Sequence, residues 1–159
     1  MAKKGRYVYA WPRPMVTADA LVFSFSRGRA RVLLVRRGKE PYKGYWAVPG
    51  GFVEIDEELA DAAARELAEE TGLTGVPLEQ MHTFGTIGRD PRGRQITTVY
   101  MGIAPQGRTR VAGGDDAAEA RWFDIDRLPE NMAFDHADVV AMAVARLKRK
   151  AVYRRMTGA

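Results

Sequence analysis

The sequence contains no cysteine and only two histidines among its 159 residues. Without cysteine there can be no disulfide bond and no thiolate metal site, which agrees with a reducing compartment, so we expect a cytoplasmic protein. No apolar run approaches the ~20 residues that span a bilayer, and the basic start lacks the apolar core of a secretion signal. We therefore expect no membrane association. Neither His82 nor His136 has the acidic neighbours typical of a metal site.

Positive charge dominates the chain but is unevenly distributed. Lys and Arg number 25 against 20 Asp and Glu, which gives a net charge of +5. Residues 54–70 nevertheless contain eight acids and a single base, Arg65. A basic protein attracts polyanions such as nucleotides, phosphates or nucleic acid. The acidic stretch inside it predicts a site for cations.

The spacing of apolar residues predicts a mixed fold in one domain over residues 1–159. Strands rich in β-branched and aromatic residues alternate with two segments of helical periodicity. The order strands, helix, strands, helix favours an α/β (α+β) protein over a doubly wound sheet. The predicted strands are 16–25, 29–37, 46–55 (bent at Pro49-Gly50-Gly51), 79–88, 94–104 and 119–125, and the predicted helices are 57–71 and 134–152.

The predicted helix 57–71 combines an apolar side with three clustered acids. Glu66, Glu69 and Glu70 share an arc of roughly 100° at spacings i, i+3 and i+4, where like charges repel. A divalent cation removes this repulsion, and Mg²⁺ prefers carboxylate oxygens and substrate phosphates. A solvated acidic face is the simpler alternative for any single glutamate. The residues expected to pack on the sheet are Ala60, Ala63, Ala64, Leu67 and Thr71.

The acids belong to a longer pattern of fixed spacing. Gly51, Glu57 and the stretch 65–73, RELAEETGL, agree with the Nudix box at each of its required positions over residues 51–73. The chain therefore resembles a Nudix hydrolase along most of its length. The resemblance implies the Nudix fold, in which a mixed β-sheet is sandwiched between helices. It also implies Mg²⁺- or Mn²⁺-dependent hydrolysis of a nucleoside diphosphate linked to another moiety.

The resemblance assigns roles by position. It implies that Glu66, Glu69 and Glu70 bind metal together with the Gly50 carbonyl. It implies structural support from Gly51, Glu57, Arg65 and Gly72, with Gly72 ending the helix. The catalytic base stays open, because family members use either a glutamate of the box, here Glu66 or Glu69, or an acid on a downstream loop. The downstream acids are Asp115, Asp116 and Glu119, of which Glu119 is preferred.

Three further stretches bear on the substrate. Residues 13–23, 88–102 and 116–136 together resemble the ADP-ribose pyrophosphatase subgroup, which implies cleavage of ADP-ribose to AMP and ribose 5-phosphate. Arginines near the site suit phosphates because their guanidinium forks bind oxyanions. The turn "DPRG" is also ordinary hairpin chemistry. The residues expected to bind substrate are Arg36, Arg37, Arg89, Asp90 and Arg92, while Tyr7, Tyr9 and Trp11 are expected either to stack on adenine or to pack in a homodimer.

Other functions remain open at this point. A mutator-type nucleoside triphosphate hydrolase or a dinucleoside polyphosphate hydrolase would use the same box. A non-catalytic ADP-ribose sensor is opposed by the intact box and by the ~25 residues after Phe134, too few for a winged-helix domain. The basic run 146–155 suggests nucleic-acid binding, but it also suits a helix C-terminus. We therefore expect a nucleotide as the partner and no nucleic acid.

Overall fold

The computed structural model describes residues 8–114 and 116–158. Within these residues seven strands and three helices follow one another, against the six strands and two helices predicted. The strands are β1 (Met15–Ser26), β2 (Arg29–Arg37), β3 (Trp46–Ala47), β4 (Gly50–Phe52), β5 (Leu78–Phe84), β6 (Gln95–Ile103) and β7 (Ala117–Asp124). The helices are α1 (Leu59–Thr71), α2 (His136–Lys148) and α3 (Ala151–Thr157).

The strands form one mixed sheet, as predicted. Its main path runs β3-β2-β1-β6-β5, with β4 pairing to β1 and β7 pairing to β2. β1 lies parallel to β6 in a single register from Met15↔Gln95 to Phe23↔Ile103, while its hairpin partner β2 is antiparallel. The predicted strand 46–55 is divided into β3 and β4. The break positions Gly50 and Gly51 opposite Asp19 and Ala18 of β1.

Helices cover both faces of this sheet. Side chains alternate along β1, because successive residues of a strand point to opposite faces. Leu21 and Phe23 pack in the cluster that contains α2, whereas Ala20 and Val22 pack in the cluster that contains α1. The sheet is therefore sandwiched between helices, which confirms the predicted fold class. No helix within the described residues is both long enough and apolar enough to cross a bilayer.

The buried face of α1 differs from the predicted one. Ala62, Ala63, Leu67 and Thr71 are buried, but Ala60 and Ala64 are exposed. The sequence analysis predicts that the three glutamates lie beside the buried face. In the structure Glu66 and Glu70 lie within it at half-buried positions, which rotates Ala64 outward. The helix ends as predicted, since Gly72 has a left-handed φ of 73° and its N–H reaches the Ala68 carbonyl.

The predicted helix 134–152 is two helices. Lys150 has an extended backbone, with φ −77° and ψ 140°, and it separates α2 from α3. The break turns the chain back over the sheet, where the Tyr153 ring lies 6.5 Å from that of Phe25. This contact with the core ends α2 before residue 152, the predicted end of the helix. Apolar periodicity does not describe such tertiary contacts.

Candidate active site

A cavity of about 520 Å³ opens where α1 meets the break between β3 and β4. The acids of α1 line one part of it, the acidic wall, and basic and aromatic side chains from other elements line another part, the basic wall. The cavity therefore contains both signs of charge in a space large enough for a nucleotide-sized ligand. Its lining includes Thr17, Asp19, Arg37, Lys39, Gly50, Gly51, Phe52, Arg65, Glu66, Glu69, Glu70, Arg92, Gln95, Asp116, Phe134 and His136.

The three box glutamates are all on the acidic wall. Glu70 accepts a hydrogen bond of 3.1 Å from the Gly50 N–H, which ties it to β4. Arg65 donates to Glu66 at 2.7 Å and to Glu69 at 3.3 Å. Glu66 is largely covered, with 14% of its side chain exposed, whereas 42% of the Glu69 side chain is exposed. The three carboxylates thus face the cavity with different degrees of restraint.

Arg65 joins the loop before α1 to the helix itself. Its Nε and Nη2 donate to the Glu57 carboxylate at 2.7 and 2.9 Å, and Nη2 also donates to the Phe52 carbonyl at 3.1 Å. Oε2 of Glu57, which accepts from Arg65 Nη2, also accepts from the Glu54 N–H. The hydrogen bonds from Arg65 lower the pKa of Glu57. The pair therefore fixes the path of the chain from β4 into α1.

The acidic wall continues onto β1 through Asp19, to which the sequence patterns assign no role. Asp19 is buried and accepts a 2.8 Å hydrogen bond from the Thr97 hydroxyl. Burial raises the pKa of Asp19 to about 7 against the effect of that bond. Burial also raises the pKa of Glu70 to about 8, and the neighbouring Glu66 and Asp19 add to the shift. The surroundings of the acidic wall therefore do not fully stabilise the ionised forms of Asp19 and Glu70.

This donor set fits a hard divalent cation, because carboxylate oxygens that repel one another gain most from shared neutralisation. Gly50 and Gly51 bring backbone to the same place without a side chain in the way. In the described part of the chain, no three acid or histidine side chains already converge on one point. Cation binding would therefore require Glu66 and Glu69 to turn from Arg65.

The opposite wall holds two of the arginines expected to bind substrate. Arg37 and Arg92 both line the cavity, and both guanidinium groups lie over the ring of Phe134. Asp90 is buried and binds Arg92 at 2.7 Å, which orients that guanidinium. Lys39 also lines the cavity and forms an ion pair with Asp116.

The other expected substrate or catalytic residues lie elsewhere. Arg36 and Glu119 point away from the cavity and pair with each other at 3.6 Å. Arg89 is almost fully covered, with 4% of its side chain exposed, and it donates to both oxygens of Asp135. Strand alternation explains why Arg37 lines the cavity and Arg36 does not. Asp115 lies outside the described residues.

The described aromatic residues near the N-terminus that were expected to stack or pack, Tyr9 and Trp11, do not contribute to the cavity either. Trp11 is 81% exposed, and Tyr9 lies beneath the guanidinium of Arg13. Tyr7 lies outside the described residues. Neither Tyr9 nor Trp11 lines the cavity.

His136 is the first residue of α2 and also lines the cavity. Its Nδ1 accepts a 2.9 Å hydrogen bond from the Val48 N–H, next to the bend between β3 and β4. Burial lowers the pKa of His136 to about 4, so the ring is neutral near pH 7. Phe134 and His136 both line the cavity, while Asp135 between them binds Arg89.

Comparison with known proteins adds a family to this geometry. A family profile described as the NUDIX domain matches residues 14–143. The chain is 36% identical over 146 residues to the "ADPR responsive transcriptional repressor NtrR" of Acinetobacter baylyi, covering 90% of this chain and 58% of that protein. It is 37% identical over 127 residues to the ADP-ribose pyrophosphatase of Methanocaldococcus jannaschii, covering 80% of this chain and 71% of that protein.

A solved structure gives a similar picture. The NUDIX domain of Shewanella oneidensis NrtR, complexed with ADP ribose, superposes with a TM-score of 0.78 at 30% identity. The superposition covers 87% of this chain and 91% of that domain. The relatives thus include a pyrophosphatase, a repressor described as ADPR responsive that is considerably longer than this chain, and a NUDIX domain complexed with ADP ribose.

Proposed function

The chain belongs to the NUDIX domain family, and from this premise we propose that it hydrolyses the diphosphate bond of nucleoside diphosphate derivatives. We propose ADP-ribose as the favoured substrate, with AMP and ribose 5-phosphate as products. The observation that carries the proposal is one cavity with the box glutamates on one wall and Arg37 and Arg92 on the other. Similarity to an ADP-ribose pyrophosphatase supports the choice of substrate.

The residues that would hold a divalent cation, Mg²⁺ or Mn²⁺, are Glu66, Glu69, Glu70 and the carbonyl of Gly50. When bound, the cation would neutralise the diphosphate and acidify a water molecule. Asp19 of β1 lies opposite Gly50, and the hydroxyl of Thr97 in β6 donates to the Asp19 carboxylate.

We assign proton uptake from the attacking water to Glu69. It is more exposed to the cavity than Glu66, and its contact to Arg65 is the longer of the two. Glu66 is the alternative base within the box. Glu119 lies outside the cavity, so we assign it no catalytic role. Arg37 and Arg92 would bind the diphosphate, because guanidinium groups pair well with phosphate oxygens.

The test is product release from a substrate panel. The panel contains ADP-ribose, NADH, diadenosine polyphosphates, and ordinary and oxidised nucleoside triphosphates, each with Mg²⁺, with Mn²⁺ and with chelator. We expect metal-dependent formation of AMP from ADP-ribose, well above the turnover of the other substrates. Preference for a triphosphate or a dinucleoside polyphosphate would keep the metal site but contradict the assigned substrate.

A second candidate is a sensor that binds ADP-ribose without cleaving it. The observation in its favour is the 36% identity to a repressor described as ADPR responsive. Calorimetry separates the two functions, because a sensor binds ADP-ribose tightly and returns it intact. Turnover in the panel would contradict the sensor.

Partners and location belong to the same proposal. We propose a cytoplasmic homodimer that binds no nucleic acid. Light scattering on purified protein tests the dimer. A gel-shift assay with duplex DNA, with and without ADP-ribose, tests the absence of nucleic-acid binding, and it matters because a relative is a transcriptional repressor.

A further inference from the structure

Phe134 lies at the centre of the basic wall and contacts both of its arginines. The guanidinium carbon of Arg37 is 4.9 Å from the ring centroid, and that of Arg92 is 5.5 Å away. A third contact comes from Tyr42, whose ring meets Phe134 edge-on at 4.9 Å. One half-buried phenyl ring is therefore shared by two cations, an arrangement that attraction to the ring quadrupole stabilises.

The backbone at Phe134 is unusual for a bulky side chain. Its φ is +53°, in the left-handed region that non-glycine residues rarely occupy. The next two residues hold it there, since Asp135 receives both hydrogen bonds from Arg89 and His136 accepts from the Val48 N–H. Strain of this kind persists where surrounding contacts over-determine it, and it is concentrated at functional sites.

The two guanidinium groups are near enough to repel each other. Burial lowers the pKa of Arg37, and the neighbouring Arg92 lowers it further. Arg37 uses its Nε on the Pro41 carbonyl, and Arg92 uses Nε and Nη2 on Asp90. Among the described residues, no acceptor takes a hydrogen bond from Nη1 or Nη2 of Arg37 or from Nη1 of Arg92. Two like charges with unused donors lie side by side on a cavity wall.

An anion between these groups would relieve the repulsion and use the open N–H donors. The acidic wall opposite repels phosphate unless a cation is bound, whereas the arginine pair attracts it directly. We propose that Phe134 is the positioning residue that holds Arg37 and Arg92 together as the binding site for the substrate's diphosphate. The inference rests on the proposed function and adds to it the residue on which substrate affinity depends.

The test compares substitutions that keep or remove the aromatic face. Phe134→Leu keeps apolar bulk without a ring, and Phe134→Tyr keeps the ring. Because both cation–π contacts are lost, Phe134→Leu should raise KM for ADP-ribose by roughly five- to thirtyfold. It should leave kcat unchanged, and Phe134→Tyr should restore the wild-type KM.

Phe123→Leu is the matched control. The Phe123 ring also lies under an arginine, Arg121 at 4.8 Å, and meets Trp46 edge-on at 4.7 Å, but it does not line the cavity. Its loss should reduce thermal stability while KM stays at the wild-type value. An equal rise of KM in Phe123→Leu and Phe134→Leu would mean a general packing effect and would overturn the positioning role.

The route through the arginines is tested by combining Phe134→Leu with Arg92→Ala. If Phe134 acts by holding the pair, its substitution should raise KM less in the Arg92→Ala background than in the wild type. Fully independent effects would contradict the inference.

Calorimetry keeps this test separate from the proposed function. If the wild type binds ADP-ribose or inorganic pyrophosphate without turnover, the proposed hydrolysis fails. The inference is then judged by whether Phe134→Leu raises Kd by the same factor. If the wild type binds neither ADP-ribose nor inorganic pyrophosphate, the proposed hydrolysis and the role of Phe134 are both overturned.

Discussion

Gly51 lies so close to Glu66 that a methyl group on its Cα would stand 2.6 Å from an oxygen of that carboxylate. The obstacle is the far end of a flexible side chain, which can move aside. At Gly50 a methyl group would meet the Asp19 carboxylate first and, beside it, backbone that cannot move aside, with the Asp19 Cα at 2.7 Å and the Ala18 carbonyl at 2.8 Å. Gly51 is therefore required only by the position of a carboxylate, whereas Gly50 is required also by the packing of the sheet.

Gly51→Ala should separate function from stability. The new methyl group displaces the Glu66 carboxylate, so we expect metal-dependent turnover to fall while the melting temperature stays close to that of the wild type. Gly50→Ala should reduce both, because overpacking against backbone costs about 1–3 kcal/mol. Gly85→Ala is the control, since its nearest neighbours are 3.8 Å away. Equal losses of stability in Gly50→Ala and Gly51→Ala would contradict this distinction.

Glu70→Gln should abolish most activity without loss of fold. The amide oxygen can still accept from the Gly50 N–H, and a neutral amide avoids the cost of an ionised carboxylate beside Asp19 and Glu66, the cost that raises the Glu70 pKa. We expect turnover to fall by at least roughly a hundredfold, as for loss of a metal ligand or its support. The melting temperature should equal or exceed the wild-type value without metal.

Metal binding itself gives a readout besides activity. Mg²⁺ should raise the melting temperature of the wild type, because a ligand that binds only the folded state stabilises it. The rise should vanish in Glu70→Gln and persist in Glu58→Gln, an exposed acid before α1 that makes no capping bond. Near-normal turnover in Glu70→Gln would remove Glu70 from the metal site.

Local patterns allowed much of this structure to be predicted. The hairpin of β1 and β2 turns at Arg27 and Gly28, both with positive φ, as the short stretch between two apolar runs indicated. The helix of the box follows from periodicity and from Gly72 at its end. These features depend on residues close in sequence, so single-sequence reasoning reaches them.

Tertiary partners account for what the sequence did not reveal. Arg89 and Arg92 belong to one turn and look alike, yet Asp135, 46 residues further on, takes Arg89 into a buried pair. Asp19 is a single acid within an apolar strand sequence, and its place in the acidic wall depends on the pairing of β4 with β1. The φ of Phe134 likewise depends on contacts that its neighbours make with distant elements.

The two arginines of this turn should respond oppositely to truncation. Arg89→Ala leaves Asp135 without its partner at the start of α2, so we expect a loss of about 3–5 kcal/mol in the free energy of unfolding. Arg92→Ala should instead raise KM for ADP-ribose and cost little stability, because the Arg92 side chain is 37% exposed. Arg36→Ala, outside the cavity, is the control for KM. A rise of KM in a well-folded Arg89→Ala protein would return that residue to the substrate site. Chemical denaturation and steady-state kinetics on the same preparations give both quantities.

His136 should make the fold less stable in acid. Burial lowers its pKa from 6.5 to about 4, so between these values the unfolded chain binds a proton that the folded protein excludes. The contribution of His136 to the free energy of unfolding is therefore complete above pH 6.5. It is lost as the pH falls towards 4, by roughly 3 kcal/mol at most. Asp19 and Glu70, whose pKa values are raised, act in the opposite direction, and their stabilising effect is lost as pH rises.

The difference between wild type and His136→Asn isolates the contribution of this histidine. The Asn oxygen can replace Nδ1 as acceptor for the Val48 N–H but does not titrate, so the stability of the variant relative to the wild type should rise as the pH falls from 6.5 to 4. His136→Ala should also lose that pH dependence, but it leaves the Val48 N–H unpaired at a cost of about 1–3 kcal/mol at every pH. Urea unfolding across this pH range measures both effects. If the free energy of unfolding of His136→Asn depends on pH in the same way as that of the wild type, the titration of His136 does not contribute to the acid sensitivity.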